Sequence, residues 1–347
     1  MSIPVSVVFN PNWWFRNYDV SFDRPFYFHR ETIVRNDVVM RRALYDRFGL
    51  GEADPQPRPI AGSRHVAGGF VVPALLGVEI RFSDNQAPWN VPRNLSREEA
   101  LRLRVPEIES TWPMNEWSAL MDGLEKECGR LTGDFNTGGL INTALELRGN
   151  DFFLDLLEDP ETTDHVFTVI AETQLRVANY VRSRTGTSSV SVNRGILHVD
   201  PGLYLHASCS VQMISPSLYE RAILPHEQLL AERLTPYGIH HCGNNLHLFA
   251  QSYSRLPVRF LDVGWGSDVA ACARVFPEAF LNLRLSPVRM LQESSETIRR
   301  DTIELLRAAG RTANVGVCCI NMDYGTPDAN VLAMFRAAAE FPGNARK

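Results

Sequence analysis

The sequence predicts an α/β protein, and within that class a (β/α)8 barrel with an N-terminal helical and aromatic extension. Three observations carry this expectation. From about Leu131 to the end, short β-type runs alternate with amphipathic helical segments, the pattern of a parallel sheet with crossover helices. A chain of 347 residues suits a barrel, which commonly uses such a length for one domain. No Gly-x-Gly-x-x-Gly follows an early strand, which weakens the dinucleotide-binding form of the competing open, doubly wound sheet. Residues 1–347 therefore read as one barrel domain, with 1–60 packed on it as the extension.

Taken in order, the first 60 residues hold an aromatic-rich segment (Trp13, Trp14, Phe15, Phe26, Tyr27, Phe28) and then a helical pattern over Glu31–Phe48. Such a cluster belongs to a core or interface, or else it lines an apolar pocket or covers the barrel mouth. Gly49 to Pro59 is a loop rich in Gly and Pro. Strands are expected at Leu131–Phe135, Ser189–Val199, Gly238–Cys242, Val258–Val263, Ala279–Leu283 and Ala313–Cys319. Helices are expected near Asp164–Arg184, Pro216–Leu234, Leu246–Arg255, Asp268–Phe276, Glu296–Ala309 and Pro327–Phe341. Ser215-Pro216 and Thr326-Pro327 each place a hydroxyl residue before a proline at the first helical position, a common helix start.

Composition removes several function classes. The chain is 44% hydrophobic and 22% charged, ordinary for a globular protein with a sizeable core. A net charge of −5 and a pI of about 6.0 give no basic footprint for nucleic acid. Met1-Ser2-Ile3-Pro4 opens no signal peptide, and no apolar stretch approaches the roughly 20 residues that span a bilayer. A cytoplasmic location is expected, and homo-oligomer formation is compatible with it. Disulfides are rare in that compartment, so the six cysteines read as core residues, metal ligands or reactive thiols. Cys128 and Cys272 lie in helical patterns and fit the role of small buried hydrophobes.

The densest chemistry lies in Ile239-His240-His241-Cys242-Gly243-Asn244-Asn245, with Cys318-Cys319 far downstream. An extended chain sends alternate side chains to opposite faces, so His240 and Cys242 share a face and His241 takes the other. One imidazole, one thiolate and a distant cysteine can hold zinc with a fourth position open, the ligand plan of a catalytic rather than a structural zinc. Barrel active sites sit at the C-terminal ends of strands. His240 and Cys242 close one expected strand, Asp262 a second, and Cys318 and Cys319 the last.

These residues also carry a resemblance. From about Leu131 onward the chain resembles the uroporphyrinogen decarboxylase superfamily, and more narrowly its zinc-dependent methyltransferases that work with corrinoid proteins. The resembling segments are Ile214-Ser215-Pro216-Ser217-Leu218-Tyr219-Glu220 with Ile223-Leu224-Pro225, the His240-x-Cys242-Gly243-Asn244 run, and Gly325-Thr326-Pro327-Asp328-Ala329-Asn330-Val331. The resemblance implies a (β/α)8 barrel and zinc held by His240, Cys242 and one late cysteine. Cys319 lies 77 positions beyond Cys242, similar to the family spacing. The register from Thr326-Pro327 contains an extra residue, which keeps Cys318 as the alternative.

The implied reaction moves a methyl group between a small methylated compound or thiol and the cobalamin of a separate corrinoid protein. This chain carries no Asp-x-His-x-x-Gly corrinoid-binding segment of its own. The alternative is metal-free decarboxylation of a tetrapyrrole. It calls for the arginine-rich Met-Arg-Gln-Ala-Gly-Arg loop, and here Arg41, Arg42 and Arg47 sit instead in a plain helical pattern. Arg194, Arg284 and Arg289 are the remaining rim candidates for it. Asp262 reads as a catalytic or supporting carboxylate, or as a cap. Asn244, Cys209, His206, Asp134 and Asn136 are candidates for the substrate pocket, with burial the competing role for Cys209.

Overall fold

The computed structural model of the protein describes residues 3–62, 69–187 and 202–342. Its centre is a six-stranded sheet in the order β1-β10-β9-β8-β7-β6, parallel throughout. The strands are β1 (Val5–Phe9), β6 (Tyr204–Ala207), β7 (Tyr237–His241), β8 (Val258–Val263), β9 (Phe280–Leu285) and β10 (Val315–Met322). A second parallel ladder joins β2 (Ile60–Gly62) to β5 (Thr132–Asp134), and β3 (Glu79–Ser83) pairs antiparallel with β4 (Gln86–Val91). The arrangement is an α/β fold with a parallel half-barrel. The two parallel ladders approach each other behind β5. Thr137 and Tyr204 share a hydroxyl hydrogen bond of 3.0 Å, and a Cβ on Gly139 would lie 1.8 Å from the Ala207 carbonyl oxygen.

Alternation along each strand divides the core in two. Val7, Ile239, Leu261, Val263, Leu281, Leu283, Val317 and Cys319 join one large cluster with the helices. Their sequence neighbours point the other way, into the concave interior. There Leu203, Leu205 and Phe260 form one small cluster, and Val8, Cys318 and Ile320 another. Phe260 and Phe280 stack with ring planes 3° apart. Strands buried on both faces are the signature of a parallel sheet covered by helices.

Several boundaries moved from where the sequence placed them. Residues 1–60 are not an extension outside the sheet, because Val5–Phe9 pairs in register with Val317–Met322. The run is buried on both faces and so shows no alternation to announce a strand. Trp13 and Trp14, at the start of helix Pro11–Tyr18, are core residues packed on Phe9. The expected helix over Pro216–Leu234 is two helices, Pro216–Ala222 and Leu224–Arg233. Pro225, which has no N–H to donate, stands near the start of the second. Ser215 caps as expected, accepting from the Leu218 amide, but the last helix begins at Asp328 with Pro327 at its cap position. β10 runs three residues past Cys319, and β6 occupies what read as a loop. The expected strand Ser189–Val199, with Arg194, lies outside the described residues. Among the described residues no helix is long and apolar enough to cross a membrane.

Candidate metal centre at the strand ends

Register across three neighbouring strands builds the base of the site. His240 on β7 pairs with Asp262 on β8, and Asp262 pairs with Asn282 on β9, so the three side chains share one level of the interior face. All three are buried. His240 Nδ1 lies 2.6 Å from Asp262 Oδ2, and a carboxylate only accepts, so Nδ1 carries the proton and donates. The lone pair is thereby left on Nε2, the arrangement that orients metal-binding histidines. Asn282 Nδ2 donates to the other Asp262 oxygen at 2.6 Å and to Cys318 Sγ at 3.1 Å.

The upper level holds the thiols. Cys242 is the first residue past β7, and Cys209 follows β6 by two residues. Ala207 pairs with His240, so each cysteine stands two residues beyond a register partner. That geometry brings ligand atoms of Cys209, His240 and Cys242 within 4.8 Å of one another. The Cys209 thiol donates toward Cys242, and His240 and the Arg284 guanidinium add to this. Together they overcome the burial of Cys242 and hold its thiol far below the ordinary range. The same hydrogen bond, with burial, pushes Cys209 up. At His240, burial opposes the charged form, but Asp262 and Cys242 outweigh it and the net shift is upward. Arg284 is 3% exposed, and its Nη1 donates to Cys242 Sγ at 3.5 Å. Glycines let the chain pass: a Cβ on Gly264 would sit 1.9 Å from the Gly243 carbonyl oxygen, and one on Gly243 would sit 2.5 Å from Gln212 Oε1.

The structure does not bring Cys319 to this site. Cys319 pairs in register with Leu285 and faces the helix-side core, where burial pushes its thiol up to about 12. Cys318 is the member that faces the interior, paired with Arg284 and joined to the histidine through Asn282 and Asp262. Spacing from Cys242 favoured the wrong neighbour, because a shift of one residue reverses a side chain. His206 is also misplaced as a pocket residue. It pairs with Ile239, packs beside Tyr204 and Tyr237, and accepts from the Leu140 amide at 3.5 Å on the helix side.

The remaining candidates divide. His241 turns away from the cluster, hydrogen-bonded to Tyr253 and Asn245 at 2.9 Å each. Asn244 is exposed beside Gly266. Asn136 is buried and lines, together with Cys209, a cavity next to the thiols. Asp134 is the last residue of β5, paired with Gly62; its side chain is outside the described set. Sequence reasoning missed the ligand geometry of Cys209, which it had placed only as a pocket candidate. No sequence signal announced it, because the equal offsets of 207→209 and 240→242 appear only once the β6–β7 register is known.

The uroporphyrinogen decarboxylase (URO-D) family profile matches residues 67–341, well over half of the chain. The chain belongs to the URO-D family. Among solved structures, this URO-D chain is similar to a methyltransferase from Methanosarcina mazei. The two are 16% identical, the TM-score is 0.68, and the match covers 98% of this chain and 94% of the other. It is also similar to a B12-independent methionine synthase from Shewanella sp. W3-18-1 in complex with selenomethionine. Here identity is 9%, the TM-score 0.50 and coverage 97% of both chains. At these identities the likeness is one of fold. A search of curated protein sequences finds no significant match.

Proposed function

We propose that this URO-D family member is a zinc-dependent methyltransferase. It would move a methyl group between a small methylated compound or thiol and the cobalamin of a separate corrinoid protein. The observation that carries the reading is the cluster of Cys209, His240 and Cys242, with the imidazole proton fixed by Asp262. One nitrogen and two sulfur donors suit zinc, and three protein ligands leave the fourth position for substrate. The resemblance of the His240-x-Cys242 run to the family's zinc methyltransferases supports it, and the name of the Methanosarcina mazei relative supports methyl transfer. The late family cysteine is replaced in this set by Cys209, with Cys318 held back behind Asn282.

Bound zinc would favour the thiolate form of a thiol substrate or polarise the atom that carries the methyl group. The chain's own residues prepare the place. Asp262 keeps the proton on His240 Nδ1, Asn282 holds Asp262, and Arg284 stabilises the Cys242 thiolate from the interior. Met213, Trp265 and Tyr324 are exposed apolar residues that follow β6, β8 and β10 at the C-terminal ends of the strands, the end where a docking partner would approach. We further place β2 and β5 between β6 and β1, completing eight parallel strands in one barrel domain over 1–347, working in the cytoplasm where thiols stay reduced. The decarboxylase alternative needs several basic groups converging on the pocket. Among the described rim candidates Arg284 reaches the cluster, while Arg289 is paired with Asp301 at the surface.

Elemental analysis tests the metal. Wild type and Cys319→Ser should each carry about one zinc per chain, and Cys209→Ser and Cys242→Ser should lose it. With a corrinoid protein supplied, methyl gain or loss should change the cobalt absorption spectrum, and chelation should abolish the change. Zinc-free wild type, or a porphyrinogen that loses carbon dioxide without metal, would replace this reading with the decarboxylase.

A further inference from the structure

Beside the thiols lies a cavity of about 510 Å³ whose wall includes Trp89, Asn90, Asn136, Leu145, Glu146 and Cys209. Its polar inventory is lopsided. Among the described residues that line it, Glu146 is the only acid and there is no lysine or arginine. Asn90 spends both amide hydrogens, one on the Gly69 carbonyl at 3.1 Å and one on Glu146 Oε1. That leaves Asn90 Oδ1 and Glu146 Oε2, two buried acceptors, without a donor. Buried acceptors are normally satisfied, so a matched pair of this kind beside a reactive centre asks for a group that donates. Trp89 and Leu145 add apolar and aromatic surface, which favours an organic cation over a hydrated metal ion.

We infer that this cavity is the substrate pocket and that it takes a small molecule bearing an ammonium group, held by Glu146 and Asn90 with its reacting end toward Cys209. The inference rests on the methyltransferase reading and names its substrate class. Burial, opposed by the hydrogen bond from Asn90, pushes the Glu146 carboxyl up to about 8, and no charged side chain contributes to that shift. An adjoining cation would draw the carboxyl back down, which is the electrostatic incentive to bind one. Asn90 and Glu146 both line the cavity, so a rotation of the long Glu146 side chain can bring its carboxylate to the bound group. The ammonium group could belong to a methylated amine that donates the methyl group or to an aminothiol that accepts it.

Calorimetric titration of the full chain separates these cases. The probes are trimethylammonium against tert-butanol, a neutral alcohol of similar bulk, and cysteamine against mercaptoethanol, each with zinc-loaded and chelated protein. Both ammonium probes should bind at least about tenfold tighter than their neutral partners, the scale of one charge-assisted hydrogen bond. Glu146→Gln should erase that preference, and Glu146→Asp should keep part of it. An extra gain for cysteamine in the zinc-loaded protein marks an aminothiol, and equal gains mark a methylated amine; either keeps the ammonium site. Neutral and charged probes binding alike to wild type overturns the inference even if a variant fails to fold, as does an unchanged preference in Glu146→Gln. Because the preference is read with and without metal, a protein that never binds zinc sinks the methyltransferase reading and leaves this result standing or falling separately.

Discussion

His240 and His241 are adjacent, equally buried and chemically identical, yet the sheet gives them opposite lives. His240 faces the interior, where Asp262 fixes the proton of the neutral ring on Nδ1 and leaves the Nε2 lone pair beside two thiols. His241 faces the helices. Asn245 Oδ1 can only accept, so His241 Nε2 holds the proton and Nδ1 accepts from the Tyr253 hydroxyl. Burial, against the hydrogen bond to Asn245, brings His241 down to about 4, so it stays neutral. Cys318 and Cys319 repeat the contrast on β10: one shares an amide with the interior carboxylate, the other packs among apolar side chains. Residue type supplies the functional group. Strand parity and the partner across the ladder decide its use.

The sharpest way to break this comparison is to swap the two histidines' fates. His240→Gln should drop zinc from about one per chain to background, while His241→Gln keeps it, read by elemental analysis. Equal loss in both would mean that the faces are assigned wrongly.

A buried acid without a cationic partner extends the contrast. Glu146 ionises near 8 in the folded chain and near 4.3 when unfolded, so its stabilising contribution is whole below about pH 4 and is lost as pH rises through 8. Glu146→Gln should therefore gain on wild type by on the order of 2–4 kcal/mol at pH 9, and by much less at pH 5. Thermal melts at the two pH values check it. A gain that does not grow with pH contradicts the burial argument.

Asp262→Asn tests the support behind His240 alone. An amide can present its NH2 to Nδ1 and favour the wrong tautomer, so zinc affinity should fall by roughly tenfold to a hundredfold without unfolding, measured by competition with a chelator. The smallest effects belong to the outer face. His241→Gln should cost about 1–2 kcal/mol of stability through its lost bond to Tyr253, and Cys319→Ala about 1 kcal/mol, both with metal content unchanged. A metal defect in Cys319→Ala would restore that residue to the centre.

Much of the fold was legible because apolar runs and helix caps are local signals. β7, β8, β9 and β10 fell within a few residues of their expected positions, and the split of His240 from His241 followed from alternation alone. β1 was hidden by its double burial and β6 by its four-residue length. The candidate site was half legible. His240 and Cys242 are close in sequence, but Cys209 meets them only through the β6–β7 ladder, and ladder register is a property of two strands rather than one. The choice between Cys318 and Cys319 failed for the same reason: counting residues from Cys242 cannot reveal parity on a strand whose end was misjudged by three residues. Glu146 gave no signal because its helix, Leu140–Arg148, lay outside the segments expected to be helical.

At the end of β8, Gly264 lies so close under the Gly243 and His241 carbonyls that no side chain fits between them. The thiol of Cys242 is thus aimed by main chain stacked on main chain, with nothing soft in the joint. Damage to this centre need not strike an atom that binds anything. A blind screen for variants that lose their metal should return glycines alongside the cysteines, and a single methyl group at position 264 should be among the hits.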